Sequence, residues 1–367
     1  MNAERPLTCV SLFSGCGGLD LGLRRAGFKI IFAEDNDPLC AESHRSNFPS
    51  TPFHLGSISD LSPELFLKLV GPEPPPIDLL AGGPPCPPYS KSRFYRKEKP
   101  RALGDPVGWE SITGYLKALE FTQPKAFLLE NVPGLAYTVH ADALELITDG
   151  ARRLGYEVSS RVLNAADFGV PQIRQRFFVI GTREPFSWPE PSHAENPEPG
   201  LFESFRPWIT AGQVLGDLDS DENADDAGHY AGGGRHDLLE QVPPGDNYLY
   251  FTEKRGHPAP IFKWRSRYWS FLLKLSPDLP AWTIQARRSN NMGPFHWRNR
   301  ILRISEIKRL QTFPDDWVVS GKVSDQWHQI GNAVPPVLAE RLGVALRECL
   351  STGSNTAKVA VTESRGK

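Results

Sequence analysis

Over the first 180 residues, short apolar runs alternate with amphipathic stretches. Runs at 8–13, 29–33, 77–81, 126–129 and 177–180 have the length and composition of buried strands. The segments at 19–26, 37–47, 63–70 and 109–121 read as helices. This alternation predicts an α/β domain with a mostly parallel sheet and flanking helices. Ligands in such sheets sit beyond the carboxyl ends of the strands, so the loops after these runs are where chemistry is expected.

From about Glu184 the pattern breaks up. Pro185, Pro189, Pro191, Pro197, Pro199 and Pro207 interrupt any long element, and Gly232-Gly233-Gly234 follows an acidic cluster. A smaller, irregular second domain is expected there. Helical patterning returns at 303–311, and a last helix opens at Pro335-Pro336 and runs towards Leu350. The polar stretch 351–367 is expected to be a disordered tail.

Composition limits the function. The chain has 367 residues, enough for two domains, with an ordinary 40% hydrophobic and 23% charged residues. No apolar run approaches the roughly 20 residues of a membrane span, and Met1–Thr8 lacks the layout of a secretory signal. The five cysteines are scattered with no C-x-x-C pair, which argues against structural zinc or a disulfide framework and for a reducing cytosol. A formal net charge of −2 speaks against a globally basic nucleic-acid binder. That average conceals two opposed stretches. Asp217, Asp219, Asp221, Glu222, Asp225 and Asp226 are acidic, whereas residues 254–309 carry 13 Lys and Arg against Asp278 and Glu306. The basic stretch interleaves aromatics, so phosphate contact by its arginines is expected while most of its aromatic rings form core.

Four loops carry candidate chemistry. The first is Phe13-Ser14-Gly15-Cys16-Gly17-Gly18, where glycines let backbone approach a ligand and free helix N-terminal amides. Glu34, Asp35 and Asp37 end the second run, roughly 20 positions past the Gly-rich turn, where a ribose diol is commonly gripped. A plain tight turn beside a solvated carboxylate would look the same, and the spacing is not that of an NAD fingerprint.

The second loop is Gly82-Gly83-Pro84-Pro85-Cys86-Pro87-Pro88-Tyr89-Ser90, and residues 72–88 hold eight prolines. A cysteine on so rigid a loop is badly placed to fill a core and well placed to attack. Lys91, Arg93, Arg96, Lys97, Lys99 and Arg101 follow, and would favour a thiolate or meet phosphates. A structural turn with a solvated basic face is the competing reading.

The third loop is Glu130-Asn131-Val132-Pro133-Gly134, whose carboxylate ends a buried strand as an acid, a base or a structural ion-pair partner. The fourth feature is Pro171-Gln172-Ile173-Arg174-Gln175-Arg176. Strand alternation would put Arg174 and Arg176 on one face, suited to a carbonyl, a phosphate or a cross-strand carboxylate.

In order and spacing these motifs resemble those of the cytosine-C5 DNA methyltransferases, over nearly the whole chain. Arg309-Leu310-Gln311-Thr312-Phe313-Pro314-Asp315 and Gln329-Ile330-Gly331-Asn332-Ala333-Val334-Pro335 extend the match. The resemblance implies an S-adenosylmethionine-dependent methyltransferase fold with a smaller target-recognition domain. Residues 1–183 would be catalytic and cofactor-binding, 184–285 target-recognising and 286–350 a segment returning to the catalytic domain.

By the same resemblance Phe13, Ser14, Gly15, Gly17, Gly18, Glu34, Asp35, Ser57, Ile58 and Asn332 would hold S-adenosyl-L-methionine, released as S-adenosyl-L-homocysteine, with no metal. Cys86, Glu130, Arg174 and Arg176 would be catalytic. Ser90, Arg93, Arg287 and Arg288 are candidate DNA contacts. The implied partners are double-stranded DNA and, functionally, a cognate restriction endonuclease. A monomer in a bacterial cytoplasm is expected.

Three positions depart from the family pattern. Asp35 stands where Glu is usual, with Glu34 beside it; Ser57 replaces an Asp before Ile58; Pro87 replaces the Gln after the nucleophile. Pro87 makes Cys86-Pro87-Pro88-Tyr89 look like the Asp/Asn/Ser-Pro-Pro-Tyr motif of amino-group methyltransferases, a runner-up that leaves Glu130 and the arginines unexplained. An RNA cytosine-C5 methyltransferase or a catalytically silent DNA-binding homologue would carry the same fold.

Overall fold

The computed structural model describes residues 5–89, 100–197, 205–222, 230–265 and 268–363, with side chains through 351. Packing divides the chain into two compact units: 1–164, 175–190 and 336–367 in the first, 165–174 and 191–335 in the second.

The first unit is built on a seven-stranded sheet. Its strands are β1 (Leu7–Leu12), β2 (Phe28–Asp35), β3 (Phe53–Leu55), β4 (Leu79–Gly82), β5 (Ala126–Asn131), β6 (Glu157–Asn164) and β8 (Gln175–Thr182). The order is β3-β2-β1-β4-β5-β8-β6. Strands β1 to β5 pair in parallel, and β8 runs antiparallel between β5 and β6. The mixed α/β fold with a largely parallel sheet is the one the apolar runs predicted. The chain moves outward from β1 through β2 to β3, then crosses to β4 on the other side of β1. That reversal opens a crevice at the carboxyl ends of β1 and β4.

The predicted helices form with capping that the sequence spells out. In α2 (Pro38–Asn47), α3 (Pro63–Val70) and α4 (Pro106–Thr122) a proline opens the helix. The preceding Asp37, Ser62 or Asp105 side chain accepts a first-turn N–H. Helix α1 (Gly18–Arg25) begins directly after the glycine loop. Strands β4 and β5 are buried throughout, and Leu12, Phe32, Leu80, Tyr115, Phe127 and Leu129 share one core cluster with α4. Tyr115 on α4 ties that helix to the sheet, donating to the carbonyls of Leu80 and Leu128 at 3.2 and 3.0 Å.

Two substantial elements lack a clear signal in the sequence: α5 (Ala141–Arg153) and β6. Strand β6 is largely exposed, with Glu157, Ser159, Ser160 and Arg161 at the sheet edge, so it carries no apolar run. Helix α5 buries little more than Ala143, Ile147, Gly150 and Ala151, too small a stripe to stand out.

The first unit's boundaries differ from those expected. It runs on to 190 rather than 183, gives up 165–174, and regains the chain at Pro336 rather than at 286. The return is α10 (Pro336–Glu363), which lies so close to α1 that a Cβ on Gly22 would come within 2.4 Å of the Pro336 carbonyl oxygen. The helix continues to Glu363, through most of the stretch expected to be disordered; no proline interrupts it there.

The second unit is mostly irregular. Strand β7 (Gln172–Ile173) pairs with β11 (Ala281–Trp282), and β9 (His193–Ala194) with β10 (Arg206–Pro207). Short helices α6 (Ala211–Leu215), α7 (His236–Gln241), α8 (Ile304–Leu310) and α9 (Val323–Asn332) complete it. Segment 286–335 packs inside this unit because its polar groups are spent there. Gln172 Nε2 donates to Gln311 Oε1 at 2.9 Å, Gln311 Nε2 to the Ile330 carbonyl at 2.6 Å, and Trp327 Nε1 to the Gln285 carbonyl at 2.8 Å. The aromatics of the basic stretch are less buried than expected. Phe295 is in the core, and Phe262 and Phe271 are half-buried and meet Tyr248 edge-on with centroids 5.6 to 5.8 Å apart, but Trp264, Tyr268 and Trp269 are exposed.

The basic stretch is less free than its composition suggested. Arg298 pairs with Asp219 and Asp221, and Arg309 with Asp217 and Asp315. Arg300 is buried against Glu306 at 2.6 Å, and Arg303 donates to Ser220 Oγ at 2.7 Å. The acidic cluster therefore neutralises part of the basic one. Arg287 is exposed and Arg288 half-buried.

Candidate active site

The loops at the carboxyl ends of β1, β2, β4 and β5 carry the candidate residues of the first unit. After β1 the chain turns sharply, with Phe13, Gly15 and Gly17 at φ of 53°, 56° and 84°. The left-handed region costs glycine little but strains phenylalanine, so Phe13 must be held. Glu34 holds it. Its Oε2 accepts from Phe13 N–H at 3.1 Å, and its carbonyl accepts from Ser14 N–H at 2.9 Å. Asp35 clamps the next residue, accepting from Gly15 N–H and from Asp37 N–H at 2.9 Å each.

The two acids differ in environment. Glu34 is only 1% exposed, and burial pushes its carboxyl up to about 8, opposed by the Phe13 N–H and reinforced by the Asp35 charge. Asp35 is half-buried and also raised, again chiefly by burial, against the pull of the backbone N–H groups it accepts. Ser57 Oγ accepts from Ser59 N–H at 3.2 Å and so caps a short turn, while Ile58 is buried beneath Gly114 of α4.

At the end of β4, Gly82 packs so tightly that a Cβ there would stand 3.0 Å from the Leu12 carbonyl oxygen. Cys86 follows on a single 3₁₀ turn, its carbonyl accepting from Tyr89 N–H at 3.0 Å. Cys86 alone of the five cysteines is partly exposed; Cys9, Cys16, Cys40 and Cys349 are buried, and burial raises each of those thiols above its ordinary range. Those four are thus held as inert thiols.

The Glu130 loop braces the Cys86 loop. Asn131 Nδ2 donates to the Pro84 carbonyl at 3.0 Å. Gly134 lies against Tyr89, where a Cβ would come within 1.9 Å of the carbonyl oxygen, and His140 Nδ1 donates to the Gly134 carbonyl at 2.7 Å. Sequence reasoning gives neither Asn131 nor Gly134 a role of its own, although both stand in the motif beside Glu130.

Glu130 is 4% exposed and pairs through Oε1 with Arg176 Nε at 2.9 Å, its register partner on β8 being Phe178. A Cβ on Gly83 would stand 3.0 Å from Glu130 Oε2, so the carboxylate faces the loop that carries Cys86. Cross-strand pairing with a carboxylate is among the readings that the sequence leaves open for this arginine.

Arg174 is different. It is fully buried in the second unit, donating to the carbonyls of Ile284, Gly331 and Ala333 at 3.1, 2.8 and 3.0 Å. The expected shared face of Arg174 and Arg176 does not form, because the extended segment is broken at Arg174 between β7 and β8 and alternation does not carry across. Its guanidinium is spent on backbone, which corrects the expectation of a catalytic role.

Asn332 ends α9, exposed, its amide donating to His328 Nε2 at 3.1 Å. Ser90 and Arg93 lie outside the described residues. Among the described residues no group of three or more His, Cys, Asp or Glu could hold a metal ion, and no helix is long and apolar enough to cross a membrane.

A glycine turn, two carboxylates, an accessible cysteine and a Glu–Arg pair at the switch point of a largely parallel sheet define an α/β enzyme with a candidate thiol nucleophile. The chain belongs to the C-5 cytosine-specific DNA methylase family, whose profile matches residues 7–348. It is similar to the Type II methyltransferase M.SacI of Streptomyces achromogenes, 36% identical over 95% of this chain and 94% of that protein. It is also similar to M1.HphI of Haemophilus parahaemolyticus, 32% identical over 93% and 86%. Among solved structures, a prophage-encoded protein of E. coli superposes with a TM-score of 0.65 at 24% identity, covering 94% of this chain and 99% of its own.

Proposed function

We propose that this enzyme methylates C5 of a flipped-out cytosine in a specific double-stranded DNA sequence, through a covalent bond between Cys86 Sγ and C6. The observation that carries the reading is the Glu130 carboxylate, held by Arg176 at 2.9 Å and turned to the Cys86 loop.

C5 of cytosine is too weak a nucleophile to take a methyl group unaided, and in the duplex it is stacked out of reach, so the base must leave the helix. Attack by the Cys86 thiolate on C6 breaks the ring's aromaticity and makes C5 enamine-like. Glu130 holds a proton at N3 and offsets the charge that develops there, while Arg176 fixes Glu130 and faces the base carbonyl O2. After methyl transfer, loss of the C5 proton expels Cys86 and restores the ring.

The residues of the first unit fit S-adenosyl-L-methionine, which supplies an electrophilic methyl group when bound and departs as S-adenosyl-L-homocysteine. The space over Gly15, where a Cβ would meet nothing within 4 Å, leaves room for a ligand against the turn of Phe13, Ser14, Gly15, Gly17 and Gly18. Asp35, half-exposed, is the carboxylate that grips the ribose, whereas Glu34, sealed below, shapes the turn. Ser57 and Ile58 meet the adenine. The enzyme acts as a monomer in the cytoplasm, where a reducing environment keeps Cys86 a thiol, and protects DNA from a cognate restriction endonuclease. Arg287, Arg288, Ser90 and Arg93 contact the DNA.

Incubation with S-adenosylmethionine and DNA whose target cytosine is 5-fluorocytosine tests the mechanism. Fluorine cannot leave as the proton does, so an adduct should accumulate at Cys86 and vanish in Cys86→Ser. An adduct that survives that substitution would overturn it.

A further inference from the structure

A file of buried polar side chains runs from α2 to the glycine turn. His44 Nε2 lies 2.7 Å from Asp20 Oδ2, Asp20 Oδ1 accepts from Ser11 Oγ at 2.5 Å, and Ser11 Oγ accepts from Ser14 Oγ at 2.9 Å. His44, Asp20 and Ser11 are 0% exposed, and Ser14 is 7% exposed. His44 is fixed by stacking on Phe48 at 4.6 Å and by Phe53 at 5.1 Å. A carboxylate in such a place is costly unless both oxygens are hydrogen-bonded, and here both are.

The file has a direction. An ionised carboxylate only accepts, so His44 donates from Nε2 and Ser11 donates its hydroxyl proton. Ser11 then presents lone pairs to Ser14, and the Ser14 proton turns inward to meet them. A serine hydroxyl has one proton and two acceptor sites, so Ser14 has only acceptance left to offer a ligand. It cannot bond a ligand's carboxylate.

We propose that Asp20 and His44 are positioning residues which, through Ser11, fix Ser14 as a hydrogen-bond acceptor for the α-ammonium group of the methyl donor. The inference rests on the assignment of the 13–18 turn to the cofactor. With the ribose at Asp35 and the adenine at Ser57, the amino-acid end is the part of the ligand left for Ser14. Its ammonium is charged, donates three N–H and accepts nothing. The file thus selects which end of that zwitterion Ser14 meets, leaving the carboxylate to backbone N–H groups.

Calorimetric titration of the full chain with S-adenosylhomocysteine and with its des-amino analogue separates this role from a merely structural one. Wild-type protein should bind the analogue about tenfold more weakly. Ser14→Ala, Asp20→Asn and His44→Asn should each weaken S-adenosylhomocysteine about tenfold and leave the analogue's affinity unchanged, erasing the discrimination. Equal weakening of both ligands, or none, overturns the proposal. If Asp20→Asn fails to fold, Ser14→Ala and His44→Asn carry the test. Asp35→Asn should weaken both ligands alike; if it weakens neither, the cofactor assignment itself is wrong and the inference falls with it.

Discussion

Arg176 Nε stands 2.9 Å from Glu130 Oε1, the two residues lying on neighbouring antiparallel strands with side chains 11% and 5% exposed. A pair so withdrawn from water is held rigidly, and each partner's role depends on the other. Glu130→Gln should lower kcat by about 10²–10⁴, the usual scale for losing a positioned acid. Arg176→Ala should cost a similar factor, and the double variant little more than either single one. Single-turnover methylation rates check this; additive losses would show that the two act separately.

Arg174 should behave as a staple. Removing its guanidinium in Arg174→Ala leaves two buried carbonyls and the part-buried Ala333 carbonyl short of a donor, for a loss of about 2 kcal/mol or more at roughly 1–3 kcal/mol per buried group. Urea unfolding would register that loss. The turnover of the molecules that remain folded should change only a few-fold, in contrast to Arg176→Ala.

Gly134 has no room for a side chain. In Gly134→Ala the new methyl would collide with the Tyr89 carbonyl, three residues beyond Cys86, and push the nucleophile loop out of place. Adduct formation with 5-fluorocytosine DNA should slow at least tenfold, since small misplacements of reacting groups carry penalties of this order. Affinity for S-adenosylhomocysteine should hold, because the glycine turn after β1 is untouched.

Glu34 makes stability depend on pH. Its carboxyl takes up a proton near pH 8 in the folded protein but only near 4.5 when unfolded, so the folded state binds the extra proton between those values. The associated stabilisation is complete below about 4.5 and lost as the pH rises through about 8. Glu34→Gln keeps an oxygen for the Phe13 N–H and cannot ionise, so it should flatten the fall in stability that wild type shows over that range. Chemical unfolding at a series of pH values reads the difference directly.

The sequence was most legible where local physics and local chemistry coincide. Apolar runs set β1, β2, β4, β5 and β8, because strands buried on both faces leave little freedom in composition. Amphipathic stretches set α1 to α4, although α4 opens at Pro106, capped by Asp105, rather than at 109. Cys86 and Glu130 stood out as candidates by their place after buried apolar runs. What escaped was non-local: the exposed edge strand β6, the brace from Asn131 to Pro84, and the cancellation of Arg298 and Arg309 by aspartates some 80 to 90 positions earlier.

By itself, then, the order of residues determined an α/β enzyme with a glycine turn, a candidate cysteine and a candidate carboxylate at successive strand ends. The tertiary structure alone decided which arginine meets Glu130. Arg174 and Arg176 are two residues apart and chemically identical, but the break at 174 commits one guanidinium to three backbone carbonyls and leaves the other beside the carboxylate. It also divided the environments of Glu34 and Asp35, adjacent acids that sequence could not rank. Burial seals the first beneath the turn and leaves the second half-open to solvent, and a group's chemistry follows the water it keeps.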